Sequence, residues 1–179
     1  SLASPSDSCH ARTFCIALII ILSAAITVRG EVISVCDKGC EYNRIILGVD
    51  HANPGDTVEV RSGIYKENVV IATPIILKGV DSGRGIPELD ADHNGSGFTI
   101  AADGVLIEGF KVRNARGRFF DLWAGINVVS NDNIIINNVV SNNRAGILVK
   151  KSCNNTVIDN IVSNNMYGIR VDGGIKNNV

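Results

Sequence analysis

Apolar positions in the second half of the chain come in short runs that never reach the length of a helix. In Ala145–Met166 the runs are Ile147–Val149, Thr156–Ile158 and Ile161–Val162, each closed by Asn or another polar residue. No period near 3.6 persists, and β-branched residues dominate, so each run predicts a short strand. The same phrase appears twice. Asn138 recurs as Asn160, Asn142 as Asn164, Asn143 as Asn165 and Gly146 as Gly168, each 22 positions on, with Gly125 one register earlier. A fixed period of this length marks a repeat architecture.

Three strands per 22-residue unit stack only if each turn of chain lies on the turn before it, with like strands parallel. The expected fold class is therefore all-β, a parallel β-helix with three-strand rungs. The asparagines take structural work in this reading. Asn tolerates the left-handed backbone of a sharp corner. Its amide can also bond along the stack, so Asn138 over Asn160 and Asn143 over Asn165 form a ladder. Gly125, Gly146 and Gly168 are expected at a common corner. Ile126, Ile147 and Ile169 are expected in one buried column, and Val128, Val149 and Val171 in another.

Upstream the period blurs. Gly104–Gly117 aligns without gaps on Asn133–Gly146 at an offset of 29, which requires an insertion near Arg116–Gly125. Earlier strands are expected at Thr57–Val60, Asn68–Ile71 and Ile75–Leu77. Before them, Ile45, Ile46, Val49 and Ala52 fall at helical spacing and end on Pro54-Gly55. This short helix would cap the first rung, whose bare strand edges invite aggregation. The division expected is residues 1–30 as signal, 31–55 as N-terminal cap and 56–179 as β-helix. The coil should have five to six rungs and, stopping in mid-repeat, should continue in further C-terminal repeats.

The N-terminus has its own character. His10 and Arg12 precede an apolar run from Phe14 to Val28 that ends in small residues. This is the pattern of a secretory signal, cleaved after Ala25 or Gly30, with an uncleaved anchor as the alternative. Fifteen residues fall short of the ~20 that cross a bilayer as a helix. The expected location is secreted, periplasmic or at the cell surface. In an exported chain Cys36 and Cys40 are a disulfide candidate, against a metal or redox pair. Cys153 reads as a small buried apolar residue.

Composition then narrows the function. A net charge of −1 gives no footprint for nucleic acid. The nine aromatics are sparse, yet Phe119, Phe120 and Trp123 fall in the one segment that breaks the repeat, with Arg116, Arg118 and Asp121. Loops on a rigid scaffold carry function, and aromatic faces beside charged groups suit a glycan. The opposing reading is that these rings cover an apolar flank. Glu88, Asp90 and Asp92, near His93, are calcium candidates, although a solvated turn also explains the run. Copper would require clustered Cys, His or Met, and His10, His51, His93 and Met166 are scattered, so the residues do not support it.

The stretches "ANPGDTVEVRSGIYKENVVI", "LKGVDSGRG" and "GFTIAADGVLIEGFKVRNARG", followed by "NNVVSNN" repeats, resemble the right-handed β-helix family of NosD type, which is pectin lyase-like. The resemblance spans Glu31 to Val179 and implies a right-handed coil and carbohydrate binding or sugar hydrolysis. It also implies a periplasmic role beside a copper enzyme, in assembling nitrous oxide reductase. "GIYKE" resembles an architectural segment of pectin esterases, but the later catalytic motifs of those enzymes are missing. A glycosidase needs two carboxylates flanking a bond, and Asp159 and Asp172 occupy different places in their rungs. The first reading is a non-catalytic, carbohydrate-associated scaffold, with no catalytic residue assigned in this segment. Its alternatives are a polysaccharide-active enzyme whose catalytic rungs lie elsewhere, and a NosD-like accessory factor for copper-enzyme maturation.

Overall fold

A computed structural model of the chain describes residues 30–117 and 123–179. The expected export signal, apart from Gly30, lies outside the described residues. The described residues form five turns of coil, each built from three strands. They are β2 (Thr57–Arg61), β3 (Ile64–Lys66) and β4 (Val69–Ile71); then β5 (Ile76–Val80), β6 (Glu88–Asp90) and β7 (Phe98–Ile100). The third turn is β8 (Leu106–Glu108), β9 (Lys111–Arg113) and β10 (Ala124–Val128). The fourth is β11 (Ile134–Ile136), β12 (Val139–Ser141) and β13 (Ala145–Lys150), and the fifth β14 (Thr156–Ile158), β15 (Ile161–Ser163) and β16 (Tyr167–Asp172). Like strands pair in parallel from turn to turn and, with β1 (Val32–Val35) at the N-terminal edge, make three sheets, ordered β1-β2-β5-β8-β11-β14, β3-β6-β9-β12-β15 and β4-β7-β10-β13-β16. The fold is a parallel β-helix.

Period-two alternation fills the interior. Val58, Leu77, Ile107, Ile135 and Val157 stack in the first sheet, and Tyr65, Leu89, Val112 and Val140 in the second. In the third sheet Phe98, Ile126 and Ile147 form one column and Ile100, Val128 and Val149 another, all fully buried. Ile169 and Val171 continue both columns in register but are 42% and 45% exposed, because among the described residues no further strand pairs with β16 on its far side. The two expected columns are therefore real in register and incomplete in burial. The glycines differ from expectation too. Gly125, Gly146 and Gly168 lie inside β10, β13 and β16 rather than at corners. A Cβ on Gly146 would come within 2.7 Å of the Gly168 carbonyl oxygen, so close rung approach, not turning, requires glycine there.

The turns are unequal. Thr57 pairs with Ile76, Ile76 with Leu106, Leu106 with Ile134 and Ile134 with Thr156, giving repeats of 19, 30, 28 and 22 residues. The offset between the third and fourth turns is thus 28, not the 29 of the gapless alignment. A one-residue slip would place half-exposed Leu106 on buried Ile135 and turn the strand inside out, and the buried face decides the register. Past β9 the offset drops from 28 to 21, since Val112 pairs with Val140 but Ile126 with Ile147. The insertion falls where the sequence places it, between β9 and β10.

The N-terminal end is closed by two elements. Helix α1 (Ile45–His51) turns Ile45 and Val49 into the core, with Ala52 buried just beyond its end. Strand β1 (Val32–Val35), not anticipated from the sequence, pairs with β2 and extends the first sheet by one strand. Buried Glu67 accepts hydrogen bonds from the Ile45 and Ile46 N–H groups at 2.9 and 3.1 Å, and so satisfies two free donors of the first helical turn. The last residue of "GIYKE" therefore fastens the cap to the coil. Cys36 and Cys40 form the expected disulfide, which closes a five-residue loop just after β1.

Two adjacent residues divide the work at each corner of the late turns. Asn137, Asn142 and Asp132 take left-handed φ of 56°, 58° and 60°, as do Asp159, Asn164 and Asn154 one turn later. The residue after each points inward and makes the ladder. Asn138 donates its N–H and its Nδ2 to Asn160 Oδ1 at 2.9 and 3.0 Å, while its own Oδ1 accepts from the Phe110 N–H. Asn143 likewise donates its N–H to Asn165 Oδ1 at 2.8 Å. A third ladder, Asn133–Asn155–Asn177, has the same geometry. Its members are also 22 residues apart, a spacing that could have revealed it. In the third turn the equivalent places hold Val105, Phe110 and Ala115, whose N–H groups cap the ladders on Asn133, Asn138 and Asn143. The coil changes there from apolar to amide corners.

Candidate functional site

Among the residues singled out for ligand binding, Trp123 is described; Arg118, Phe119, Phe120 and Asp121 lie outside the described residues. Trp123 closes the insertion and immediately precedes β10. Its carbonyl accepts from the Ala145 N–H at 3.1 Å, which ties it to the fourth turn. Its indole packs against Gly117, where a Cβ would sit 2.3 Å from Cε3, so only glycine leaves room for the ring. The side chain is half-exposed.

Beside it, at the corner between the second and third sheets, is a cleft of about 360 Å³. Three turns supply its walls: Arg116 and Gly117 from the third, Arg144 from the fourth, and Asn164, Asn165 and Met166 from the fifth. Ladder residue Asn143 forms part of its base. The Arg116 Nε donates to the Asn142 carbonyl at 3.0 Å, which holds the guanidinium across the corner. Met166 is 66% exposed at the rim. Arg144 and Met166 both stand directly after an Asn-Asn pair, in "SNNRAG" and "SNNMYG", and sequence reasoning passed over them as corner residues. Spacing was the available signal, since residues following equivalent corners must share a face. The described lining offers cations, amides and a thioether, and no carboxylate.

The calcium candidates are not arranged around an empty centre. Arg113, on the neighbouring strand β9, meets Glu88 at 2.5 Å and Asp90 at 3.0 Å. Asp90 Oδ1 also accepts from Asn114 Nδ2 and from the Asp92 N–H, at 2.9 and 3.0 Å. Asp92 itself is an exposed left-handed corner residue. Burial would raise the Asp90 carboxyl, but the Asn114 amide, the Asp92 N–H and the charges of Arg113 and Lys66 outweigh it. The pKa is held below the ordinary 3.8. A lowered carboxylate stabilises the fold above its unfolded pKa, and that contribution is lost as pH falls through the folded value. The denaturation midpoint of the native chain is accordingly expected to drop as pH falls below about 4, and Asp90→Asn should flatten that part of the profile. Parallel profiles for the two proteins would show that Asp90 contributes nothing there.

A family model described as periplasmic copper-binding protein (NosD) matches residues 49–179, well over half of the chain. The chain belongs to the NosD family. No curated protein and no solved structure matches it. The family's description concerns copper, which invites a comparison with the donors present. His51 of this NosD-family chain stacks on Tyr42 at 4.9 Å, and its Nδ1 bonds to the Leu47 carbonyl at 2.8 Å. His93 sits on an exposed corner, and Cys36 and Cys40 are bonded to each other. Among the described residues no three His, Cys, Asp or Glu side chains converge as metal ligands. These donors do not fit a copper centre. Nor is any helix among the described residues long and apolar enough to cross a membrane.

Proposed function

We propose that this NosD-family protein is an exported, non-catalytic scaffold that binds carbohydrate in the cleft beside Trp123. The observation carrying the reading is the half-exposed indole on Gly117 next to a cleft walled by Arg116, Arg144 and the exposed amide of Asn164. An indole face packs on the C–H face of a sugar ring, while guanidinium and amide groups meet hydroxyls and carboxylates. A volume of about 360 Å³ is at the small end of ligand pockets, enough for a short stretch of a chain rather than a deep-seated monomer. The described lining also lacks the carboxylate pair that glycoside hydrolysis demands, which supports binding without cleavage.

Trp123 is the single tryptophan and packs on Gly117 of the cleft wall, so its emission reports on this corner alone. Titration with polygalacturonate and with neutral dextran is expected to shift that emission for one of the two. Trp123→Ala should abolish retention of the protein in an affinity gel containing the matching polysaccharide. Unchanged retention of a folded Trp123→Ala variant would rule the cleft out.

The family match equally favours a second reading, a periplasmic accessory factor for copper-enzyme maturation. Stoichiometric copper binding by the purified chain, measured by equilibrium dialysis, would move the balance toward it.

A further inference from the structure

Apart from the Trp123 corner, a cleft lies over the outer face of the second sheet in the first three turns. There the disulfide-closed Cys36–Cys40 loop faces the loop Asp81–Ile86, and the cleft, of about 520 Å³, runs between them. A smaller cleft of about 350 Å³ adjoins it, and both are lined by Asp37 and Arg84. We propose that this cleft is a second binding site, for an acidic saccharide, held by Arg84 and Lys111.

Its walls are built rather than incidental. Asp81 Oδ1 accepts from the Gly83 and Gly85 N–H groups at 2.8 and 2.9 Å, and the buried Ser62 hydroxyl donates to the Gly85 carbonyl. The loop that presents Arg84 is thereby tied to β2–β3. The opposite wall is fixed by the Cys36–Cys40 bond. The Tyr65 hydroxyl, bonded to the Arg61 carbonyl at 2.8 Å, secures the floor.

Charge then selects the ligand. Glu88 lines the cleft, but Arg113 engages it, and Arg113 also neutralises Asp90. Arg84 and Lys111 have no carboxylate at ion-pair distance among the described residues. Lys38, Arg84 and Arg61, the last 3.7 Å from Glu59, line the adjoining cleft, so its cations outnumber its one carboxylate, Asp37. Glu88 and Asp90, two of the three carboxylates that suggested a cation site in the sequence, are thus engaged by Arg113, and the surface beside them is left to attract anions. Ile64, 65% exposed and in register with Glu88 and Lys111, adds an apolar platform on which the C–H face of a sugar ring can rest. A carboxylated or sulfated sugar supplies the matching anion and the matching face together. This site uses none of the Trp123 residues, so the two readings stand or fall separately.

The test is calorimetric titration of the Trp123→Ala chain, in which the other cleft is disabled, with trigalacturonate, a sulfated trisaccharide and a neutral maltotriose. At low ionic strength at least one acidic probe is expected to bind and maltotriose to bind at least tenfold more weakly. Adding Arg84→Gln and Lys111→Gln should weaken the acidic probe at least tenfold; both side chains are exposed, so the thermal midpoint should not move. Whichever acidic probe binds more tightly identifies the anionic group. Equal affinity for maltotriose, no binding of either acidic probe, or binding indifferent to the double substitution would overturn the proposal. If Trp123→Ala alone removes all binding, the Trp123 reading survives and this one does not.

Discussion

Asn138→Ala is expected to destabilise the protein by roughly 3–5 kcal/mol, more than its single polar side chain would suggest. The side chain is buried and fully engaged. Its Nδ2 donates to the carbonyls of Ile136 and Ile107 as well as to Asn160 Oδ1, and its Oδ1 takes the Phe110 N–H. Truncation strands at least the Phe110 donor in a place water does not reach, and each stranded group costs about 1–3 kcal/mol. Asn142, one corner further on, is exposed and left-handed, with a long 3.4 Å contact to Ser141 as its side-chain bond. Asn142→Gly is expected to stay within about 0.5 kcal/mol of the native protein. Chemical denaturation of the two variants separates the roles. Equal losses would mean that the repeated asparagines act through backbone preference alone.

Ile147→Ala is expected to cost about 2–5 kcal/mol. Ile147 is fully buried, with Ile126 on one side and Ile169 on the other. Removing three carbons from a stacked column leaves a cavity that its neighbours, fixed by their own strands, cannot close. The same substitution at Ile169, 42% exposed, should cost less than half as much. Denaturant midpoints compare the pair directly, and an Ile147→Ala midpoint equal to that of the native chain would contradict the column.

The contrast between these two isoleucines shows what could be read in the sequence. Register follows from period, so Ile126, Ile147 and Ile169 were legible as one column from their 21- and 22-residue spacing. Burial depends on what stacks above, and no local pattern in "YGIRVDGG" states that. The corner residues present a similar limit. Asn-Asn pairs announced the corners, but only geometry divides them into a left-handed member, such as Asn142, and a ladder member, such as Asn143. Upstream, Val105, Phe110 and Ala115 occupy the ladder places without any amide. The period blurs there because an apolar core residue solves the same corner differently. Strand β3 escaped notice because three residues, Ile-Tyr-Lys, carry too little alternation to declare a strand.

The candidate sites were less legible than the coil. Trp123 stood out through aromatic concentration, whereas Arg144 and Met166 join it only because three successive turns bring their corners together. The acidic run Glu88–Asp92 suggested a cation, and it took the cross-strand position of Arg113 to show Glu88 and Asp90 engaged. Pairing across strands 25 residues apart leaves no trace in a single sequence.

The buried asparagines of the ladders, Asn133, Asn138, Asn143 and Asn155, hold the rungs together and offer no amide to a ligand. Hydrogen exchange of the side-chain amides, resolved by nuclear magnetic resonance, tests this claim most directly. The Nδ2 protons of Asn133, Asn138, Asn143 and Asn155, all buried and bonded, are expected to exchange as slowly as backbone amides of β10 and β13. Those of exposed Asn142 and Asn164 should exchange at the rate of free asparagine. Fast exchange at all six positions would contradict the ladder, and with it the stacked coil on which both clefts depend.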